Sequence, residues 1–312
     1  MAWTAPNPSF LDAPVCREPD QMSADFAVLG IPYGVPYHMR GVHSDAANAP
    51  AVFRARAQRF ARLVEHYDFD LGGTLFGDTG ATLVDCGDLP GDPLDLPGNK
   101  ARATAAVATL LARGATPIVL GGDDSIPPLV VRAFADRGLV NVLQIDAHLD
   151  FRDSVDGVTD GYSSPMRRIR EMPWVRHIVQ VGLRGPGSAR PCDVAEARAA
   201  GNVLITANEV HERGIDTVLE HLSDDAPWFC TLDVDGLDPT IAPGTSAPLP
   251  GGLDYRQLAG IFRELGRRHD FAGIDIVEHF PALDVRDMTS MTLARLLCNL
   301  IGSVSRRRAA HP

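Results

Sequence analysis

The sequence predicts an α/β fold in three layers, with helices on both faces of a parallel central sheet of roughly eight strands. Three observations support this prediction. Apolar runs of strand length recur along the chain, and most are followed by a longer segment of helical character. Strands that alternate with helices form βαβ units, in which the strands are parallel. Several of these strands also end in acidic residues, which indicates where the chemistry lies.

The elements follow from local sequence signals. The run Phe26-Ala-Val-Leu-Gly30 predicts a strand that stops at a turn containing Gly and Pro. Pro50 suits the first turn of a helix, and Gly114 and Gly138 are typical of residues that end one. The predicted strands are residues 26–30, 82–85, 117–120, 142–145, 177–182, 203–205, 228–233 and 273–278. The predicted helices are residues 49–63, 100–113, 127–137, 165–171, 209–222, 255–267 and 289–304.

The sequence indicates one domain without a linker. Residues 1–25 are rich in Pro, Asn and Asp, and we expect an irregular arm packed on a neighbouring subunit. Residues 26–306 form the single domain, and residues 307–312 form a tail. The basic run Arg306-Arg307-Arg308 is expected to be solvated.

Composition restricts the class of protein. The net charge of -11 argues against a nucleic-acid partner or an anionic membrane surface. The five cysteines are odd in number and form no C-x-x-C pair, which is typical of a reduced, intracellular protein. The N-terminus does not have the pattern of a signal peptide, and no stretch reaches the ~18 apolar residues of a membrane span. These features predict a cytoplasmic location.

The segment Val142-Leu-Gln-Ile-Asp146-Ala-His148-Leu-Asp150 carries the strongest chemical signal. Its apolar start predicts a buried strand, and alternate residues of an extended backbone share one face. Asp146, His148 and Asp150 are therefore expected to point the same way, which is costly unless something compensates them. A metal ion does so, and this donor set suits Mn, Fe, Co, Ni or Zn better than Ca or Mg. A strand that runs into a polar loop is the plainer alternative.

Three further predicted strands have acidic residues at or just beyond their carboxyl ends. These residues are Asp124, Asp233, Asp235 and Glu278. The carboxyl ends of parallel strands lie along one edge of the sheet, where ligands bind. Helix caps and turns also place Asp after strands, but they do not explain the D-x-H-x-D and D-x-D patterns together. The sequence therefore predicts one acidic crevice that includes His148.

Three motifs resemble the signatures of the ureohydrolases, the family of arginase and agmatinase. The motifs are Gly121-Gly-Asp-Asp-Ser125, Asp146-Ala-His-Leu-Asp150 and Asp233-Val-Asp-Gly-Leu-Asp-Pro239. Shorter matches are Asp85-Cys-Gly-Asp88, Ala242-Pro-Gly-Thr245, Pro250-Gly-Gly252 and Val277-Glu278. The resemblance covers residues 26–304, favours the agmatinase type in the second half, and implies an arginase-like fold.

The resemblance also implies a site for two divalent metal ions, with Mn²⁺ first and Ni²⁺ as the main alternative. The implied ligands are Asp124, Asp146, His148, Asp150, Asp233 and Asp235, with Asp146 and Asp233 bridging the two ions. Two such ions lower the pKa of water, and the implied reaction is attack of that water on a guanidinium carbon, which releases urea and an amine. Asp150 would also orient the water.

Glu278 resembles the carboxylate with which the family binds the guanidinium group, a planar cation that donates paired hydrogen bonds. An ordinary exposed Glu after a strand is the plainer alternative. The implied substrate is a small cationic guanidino compound such as agmatine, a guanidino acid, or a substituted biguanide such as metformin.

The chain departs from the family pattern at two places. The first signature usually reads Gly-Gly-Asp-His-Ser, with the His as a metal ligand, and here that position is Asp124. The additional carboxylate is expected to weaken the Lewis acidity of the metal pair. The loop Gly161-Tyr-Ser-Ser-Pro-Met-Arg-Arg168 does not contain the usual His, so proton delivery needs another group or water. His38 and His43 are candidates, although surface or structural roles are more ordinary for histidines.

Two other functions stay open. The chain could be a catalytically degenerate supporting subunit of a heteromeric ureohydrolase, or a histone-deacetylase-like amide hydrolase with one zinc ion, although the complete acidic patterns favour two metals. The resemblance implies a homo- or hetero-oligomer, a trimer or a hexamer, in which a paralogous subunit is a candidate partner. Substrate choice is expected to depend on loops around residues 33–45, 151–165 and 184–193.

Overall fold

The computed structural model describes residues 3–34, 45–92 and 94–311. Within these ranges eight strands form one sheet: β1 (Phe26–Ile31), β2 (Leu83–Asp88), β3 (Thr116–Gly121), β4 (Val140–Ile145), β5 (Val175–Leu183), β6 (Val203–Thr206), β7 (Trp228–Asp233) and β8 (Phe271–Val277). Their order is β2-β1-β3-β8-β7-β4-β5-β6, and all neighbours are parallel. The predicted parallel sheet of eight strands is confirmed.

Helices cover both faces of this sheet. They are α1 (Ala49–Ala61), α2 (Leu96–Ala112), α3 (Pro127–Arg132), α4 (Pro165–Arg170), α5 (Pro191–Ala199), α6 (Ala207–Arg213), α7 (Asp216–Leu219), α8 (Tyr255–Arg268) and α9 (Met288–Ala310). Helices α1 and α6 to α9 contribute to the apolar core on one face, and α2 to α5 contribute to the core on the other. The three-layer arrangement is therefore also confirmed. Among the described residues, no helix is both long and apolar enough to cross a membrane.

Some helix boundaries differ from the prediction. The single helix predicted over residues 209–222 is wrong, because Gly214 adopts φ of +80° and separates α6 from α7. A glycine in this region of backbone space ends a helix without steric cost. Helix α3 stops at Arg132 and not at residue 137. Helix α5 was not predicted, since only Asp193 and Ala197 of its nine residues are buried and its apolar periodicity is weak.

The N-terminal arm packs against its own domain. Phe10 is fully buried and its ring stacks on that of Phe53, with 5.5 Å between the centroids. The backbone N–H of Phe10 donates to Asp85 Oδ2 at 2.7 Å, and Thr4 and Asp88 exchange two backbone hydrogen bonds. Since β2 is an edge strand of the sheet, the arm covers backbone groups that would otherwise be open to pairing. The described part of the arm thus packs on its own chain, whereas the sequence predicted that it packs on a neighbouring subunit.

A buried cation joins α1 to the same edge of the sheet. Arg54 is 1% exposed, and its guanidinium donates to Asp85 Oδ2 through Nε at 2.7 Å and to Asp85 Oδ1 through Nη2 at 3.0 Å. It also donates to Asp88 Oδ1 and to the carbonyl of Gly87. The Asp85-Cys-Gly-Asp88 motif therefore binds a structural arginine, an interaction that the strand pattern alone did not predict.

The C-terminal basic run is not free in solvent. Helix α9 continues to Ala310 and so includes all three arginines. Arg306 donates to the carbonyls of Thr74 and Leu75 at 2.6 and 3.0 Å, and Arg308 donates to Thr116 Oγ1 at 2.6 Å. The expectation of a solvated run was wrong, because these long side chains reach backbone and hydroxyl acceptors of neighbouring elements.

Candidate metal centre

The sheet order brings the predicted acidic strands together. The four strands β3, β8, β7 and β4 are consecutive neighbours in the sheet, and all are parallel. Ile145 pairs with Leu232 at the ends of β4 and β7, and Asp233 pairs with Val277 at the ends of β7 and β8. The side chains that follow these ends therefore meet in one place at the carboxyl edge of the sheet.

Two clusters of potential metal ligands lie at this edge. Asp146, His148 and Asp235 form one cluster, and Asp124, Asp146 and Asp233 form the other. Within each cluster the ligand atoms lie within 4.8 Å of one another. Asp146 belongs to both clusters, which is the arrangement that a carboxylate bridging two ions requires. The four aspartates are buried, whereas His148 is partly exposed.

Hydrogen bonds fix the orientation of these side chains. His148 Nδ1 lies 3.1 Å from Asp235 Oδ2, and the backbone N–H of Ala147 donates to Asp235 Oδ1 at 3.1 Å. The backbone N–H of Asp235 donates to Asp233 Oδ1 at 2.8 Å. The hydrogen bond with Asp235 is the largest cause of the raised pKa of His148. Each contact holds a ligand in place before any ion binds, so the clusters are preorganised.

Asp150 and Glu278 border the same pocket and have unusual backbone conformations. Their φ angles are +44° and +60°, a region that L-residues other than Asn and Asp rarely adopt. Glu278 Oε1 accepts a hydrogen bond from the backbone N–H of Asp124 at 2.9 Å, and Ser246 Oγ donates to Glu278 Oε2 at 3.4 Å. Of the two residues only Glu278 is strained by this conformation, and strained residues concentrate at functional sites.

The carboxylates crowd one another electrostatically. Burial, followed by the charges of neighbouring carboxylates, raises the pKa values of Asp124, Asp146 and Asp233 well above the usual range. Burial also raises the pKa of Asp150 to about 6, although hydrogen bonds with Asp146 and Asp124 oppose the rise. The pKa of Glu278 is raised to about 8 by burial and then by the charge of Asp123. The centre therefore needs positive charge for all its carboxyl groups to ionise.

These residues fit a pair of divalent cations. Asp124 is 3% exposed, and its Oδ2 has no hydrogen-bond partner within the part of the chain that the structure describes. A buried carboxylate oxygen without a partner is costly, and a cation relieves that cost. Aspartate oxygens together with one imidazole suit borderline divalent metals such as Mn²⁺ or Ni²⁺.

Among the described residues, the two clusters contain no histidine other than His148. His38 and His43 lie outside the described residues, which break off at residue 34 and resume at residue 45. His279 follows Glu278 directly, but it is buried and its Nε2 lies 3.3 Å from Ser290 Oγ. Residues 161–168 place Ser163 and Ser164 in buried positions. The proton donor for a leaving group is therefore not a histidine of this loop.

Sequence reasoning missed one side chain at the centre. Gln144 is 1% exposed, and its Nε2 donates to Asp146 Oδ2 at 2.6 Å. A glutamine within an apolar strand is the signal that could have revealed it, because a buried amide needs hydrogen-bond partners.

The fold and the site together define a metallohydrolase whose two acidic clusters share one carboxylate at the carboxyl edge of a parallel sheet. Comparison with known proteins agrees with this class. Residues 24–302 match the arginase family. The chain is 35% identical over 271 residues to formimidoylglutamase from Halalkalibacterium halodurans, covering 83% of this chain and 82% of that protein. It is 30% identical over 300 residues to agmatinase from Chromobacterium violaceum, covering 93% of this chain and 87% of that protein.

Solved structures agree as well. Proclavaminate amidino hydrolase from Streptomyces clavuligerus superposes with a TM-score of 0.79 at 27% identity, covering 96% of this chain and 97% of that chain. The chain belongs to the arginase family. It is accordingly a hydrolase of carbon–nitrogen bonds in guanidine-type groups, from a family that depends on binuclear metal sites.

Proposed function

We propose that this protein hydrolyses a guanidine-type C–N bond of a small cationic substrate with two bound divalent ions, releasing urea and an amine. Mn²⁺ is the first choice of metal and Ni²⁺ the main alternative. The observation that carries the proposal is the pair of ligand clusters that share Asp146. Family membership supports the reaction class, and the related proteins named above differ in substrate, so the substrate itself is tested below.

The ions would be held by the residues predicted for them. Asp124, Asp146 and Asp233 surround one position, and Asp146, His148 and Asp235 surround the other. Asp146 therefore lies in both clusters, whereas Asp233, which was also expected to bridge the ions, lies in one. Asp150 lies beside the first position, since its charge contributes to the raised pKa values of both Asp124 and Asp146. When bound, the two ions would supply Lewis acidity that makes water nucleophilic near neutral pH.

Asp150 is suited to orient the attacking water. Its carboxyl group is buried beside both clusters, and a pKa of about 6 leaves it mainly ionised at neutral pH. An ionised carboxylate accepts hydrogen bonds only, so Asp150 can accept a hydrogen bond from the water without competing as a donor. Its backbone φ of +44° fixes the direction of this side chain.

Glu278 is suited to bind the guanidinium group. It follows β8 at the rim of the centre, is partly exposed, and has one oxygen fixed by the N–H of Asp124. Since burial and neighbouring negative charge raise its pKa to about 8, a cation beside it is strongly favoured. A planar guanidinium supplies both the charge and the paired donors.

Asp124 and the loop without a histidine favour a second candidate, a supporting subunit in a heteromeric enzyme. A carboxylate at this position adds negative charge to one ligand cluster, which reduces the acidity of a bound water. We also infer a reducing, cytoplasmic setting, supported by the five free cysteines. We infer an oligomer as well, and membership of the arginase family supports it.

Metal content and product release test the proposal together. Protein loaded with Mn²⁺ or Ni²⁺ is assayed for urea against agmatine, guanidino acids and biguanides, and for formamide against a formimidoyl amino acid. About two ions per chain with urea release supports the proposal. No metal and no product from the chain alone supports the supporting-subunit alternative. One zinc ion with amide cleavage would revive the histone-deacetylase-like alternative.

The variant Glu278→Gln tests substrate binding. Loss of a charge-assisted hydrogen bond of about 1.5–3 kcal/mol lowers kcat/KM by roughly 10- to 100-fold, while metal content stays the same. Glu212→Gln is the matched control, since Glu212 is exposed on α6. An unchanged kcat/KM in Glu278→Gln removes Glu278 from the site.

A further inference from the structure

A row of buried polar side chains crosses the sheet one layer below the metal centre. Gln144 of β4 pairs with Gln180 of β5 on one side and with Thr231 of β7 on the other, and Thr231 pairs with Asp275 of β8. Each of the four is at most 1% exposed. Asp146 and Asp233 stand two residues further along β4 and β7, on the same face, because alternate residues of a strand share a face.

Three amides of this region form a directed chain of hydrogen bonds. Asn202 Nδ2 donates to Gln180 Oε1 at 2.8 Å. Gln180 Nε2 donates to Gln144 Oε1 at 2.6 Å and to the carbonyl of Leu149 at 2.8 Å. Gln144 Nε2 then donates to Asp146 Oδ2 at 2.6 Å. The chain of amides ends on the carboxylate shared by both ligand clusters.

Two acceptors, the carbonyl of Leu149 and the carboxylate of Asp146, fix the direction of the hydrogen bonds in this chain of amides. The carbonyl of Leu149 only accepts, so the amide nitrogen of Gln180 must face it. Gln180 then presents a donor to Gln144, which places the oxygen of Gln144 toward Gln180 and its nitrogen toward Asp146. Reversal of either amide would set oxygen against oxygen in a buried site, at the cost of an unpaired polar group.

Among the described residues, one N–H group donates to each oxygen of Asp146. Gln144 donates to Oδ2, and the backbone N–H of His148 donates to Oδ1 at 2.6 Å. A carboxylate oxygen has two lone pairs, so one lone pair on each oxygen stays available to the clusters. This is the condition under which one carboxylate can serve two ions at once.

We propose that Gln144, held in orientation by Gln180 and Asn202, is a positioning residue that directs Asp146 toward both metal positions. The assignment rests on the proposed function, in which Asp146 bridges two ions. Its contact is with the ligand and not with substrate, and partners of metal ligands of this kind typically contribute about 10- to 100-fold to metal affinity. The Leu149 carbonyl ties the same chain of amides to the Asp146–Asp150 segment.

The test replaces the donor and keeps the shape. Gln144→Met has a side chain of similar length without an N–H donor. We expect the variant to fold and its affinity for Mn²⁺, measured by competition with a chelator, to fall about 10- to 100-fold. Its kcat should recover when Mn²⁺ is raised, whereas the KM for substrate should not change. Gln180→Met should lower the affinity less, because Gln144 keeps its donor, and this variant carries the test if Gln144→Met does not fold.

Asn141→Leu is the matched control. Asn141 is a fully buried amide on the same strand, but it donates to Asp225 and to the carbonyl of Ala226 at the far end of β4. The Mn²⁺ affinity of the Asn141→Leu variant should match that of the wild type. Wild-type affinity in Gln144→Met, or an equal loss in Asn141→Leu, overturns the assignment. Wild-type protein that binds no Mn²⁺ overturns the proposed function, and the assignment with it.

Discussion

Replacing Asp124 by Asn should raise the thermal stability of the metal-free protein and reduce the rise in Tm that metal binding causes. Asp124 is 3% exposed, and its Oδ2 has no hydrogen-bond partner among the described residues. Burial and the charges of Asp150 and Asp233 raise its pKa, so ionising it in the metal-free protein costs stability. The amide is nearly isosteric and uncharged. The metal-free variant should therefore melt above the metal-free wild type at neutral or higher pH.

Metal binding should stabilise the variant less than the wild type. A ligand at about 100 times its Kd stabilises a protein by about 2.7 kcal/mol per site. For 312 residues, an unfolding entropy of about 2.1 cal/mol/K per residue makes 1 kcal/mol correspond to about 1.5 °C. Two occupied sites then raise the wild-type Tm by about 8 °C. Asp124→Asn damages one cluster and leaves the other intact, so the metal-induced rise should fall to about 4 °C.

Scanning calorimetry with chelator and with saturating Mn²⁺ measures the Tm of the metal-free protein and the rise in Tm that metal causes. Elemental analysis gives the number of ions per chain. Asp136→Asn, at an exposed position after α3, is the control and should behave as the wild type in both conditions. The reasoning fails if Asp124→Asn melts below the wild type without metal, or if its metal-induced rise equals that of the wild type.

Two further predictions concern buried ionisable side chains that are not proposed metal ligands. Arg54→Met leaves Asp85 buried without its cation and should cost about 3–5 kcal/mol in urea unfolding, whereas Arg56→Met breaks an exposed pair with Asp287 and should cost less than about 1 kcal/mol. Asp275 is fully buried, and burial raises its pKa from 3.8 to about 8. The folded state then binds more protons than the unfolded state between these values, so this residue lowers stability as pH rises. Asp275→Asn should gain about 4 kcal/mol relative to the wild type between pH 5 and pH 8.

Equal losses in the two arginine variants would show that burial of the Arg54 pair contributes nothing beyond a surface contact. For Asp275, parallel stability curves of wild type and variant over the same pH range would show that its carboxyl group titrates normally. Both measurements use metal-free protein, so metal binding does not contribute to the differences.

The sequence alone was enough to predict which acidic side chains cluster at one edge of the sheet. The D-x-H-x-D and D-x-D patterns, each after an apolar run, predicted the ligands Asp146, His148 and Asp235 that the structure brings within 4.8 Å. This inference works because strand periodicity and the common edge of a parallel sheet are local rules. Helix boundaries were predicted less well from the sequence, as the break at Gly214 shows. The φ angle of a glycine inside a helical pattern cannot be read from the sequence.

Only the tertiary structure decided the arrangement across the sheet. No local sequence pattern predicts that β3, β8, β7 and β4 are neighbours, because strand order depends on how distant segments pack. The same reason hides the pairing of Arg54 with Asp85 and the chain of amides from Asn202 to Asp146. A polar residue in a buried strand predicts that partners exist. Partners 22 to 36 positions away become visible only when the chain has folded, since hydrogen bonds and ion pairs act at contact distance.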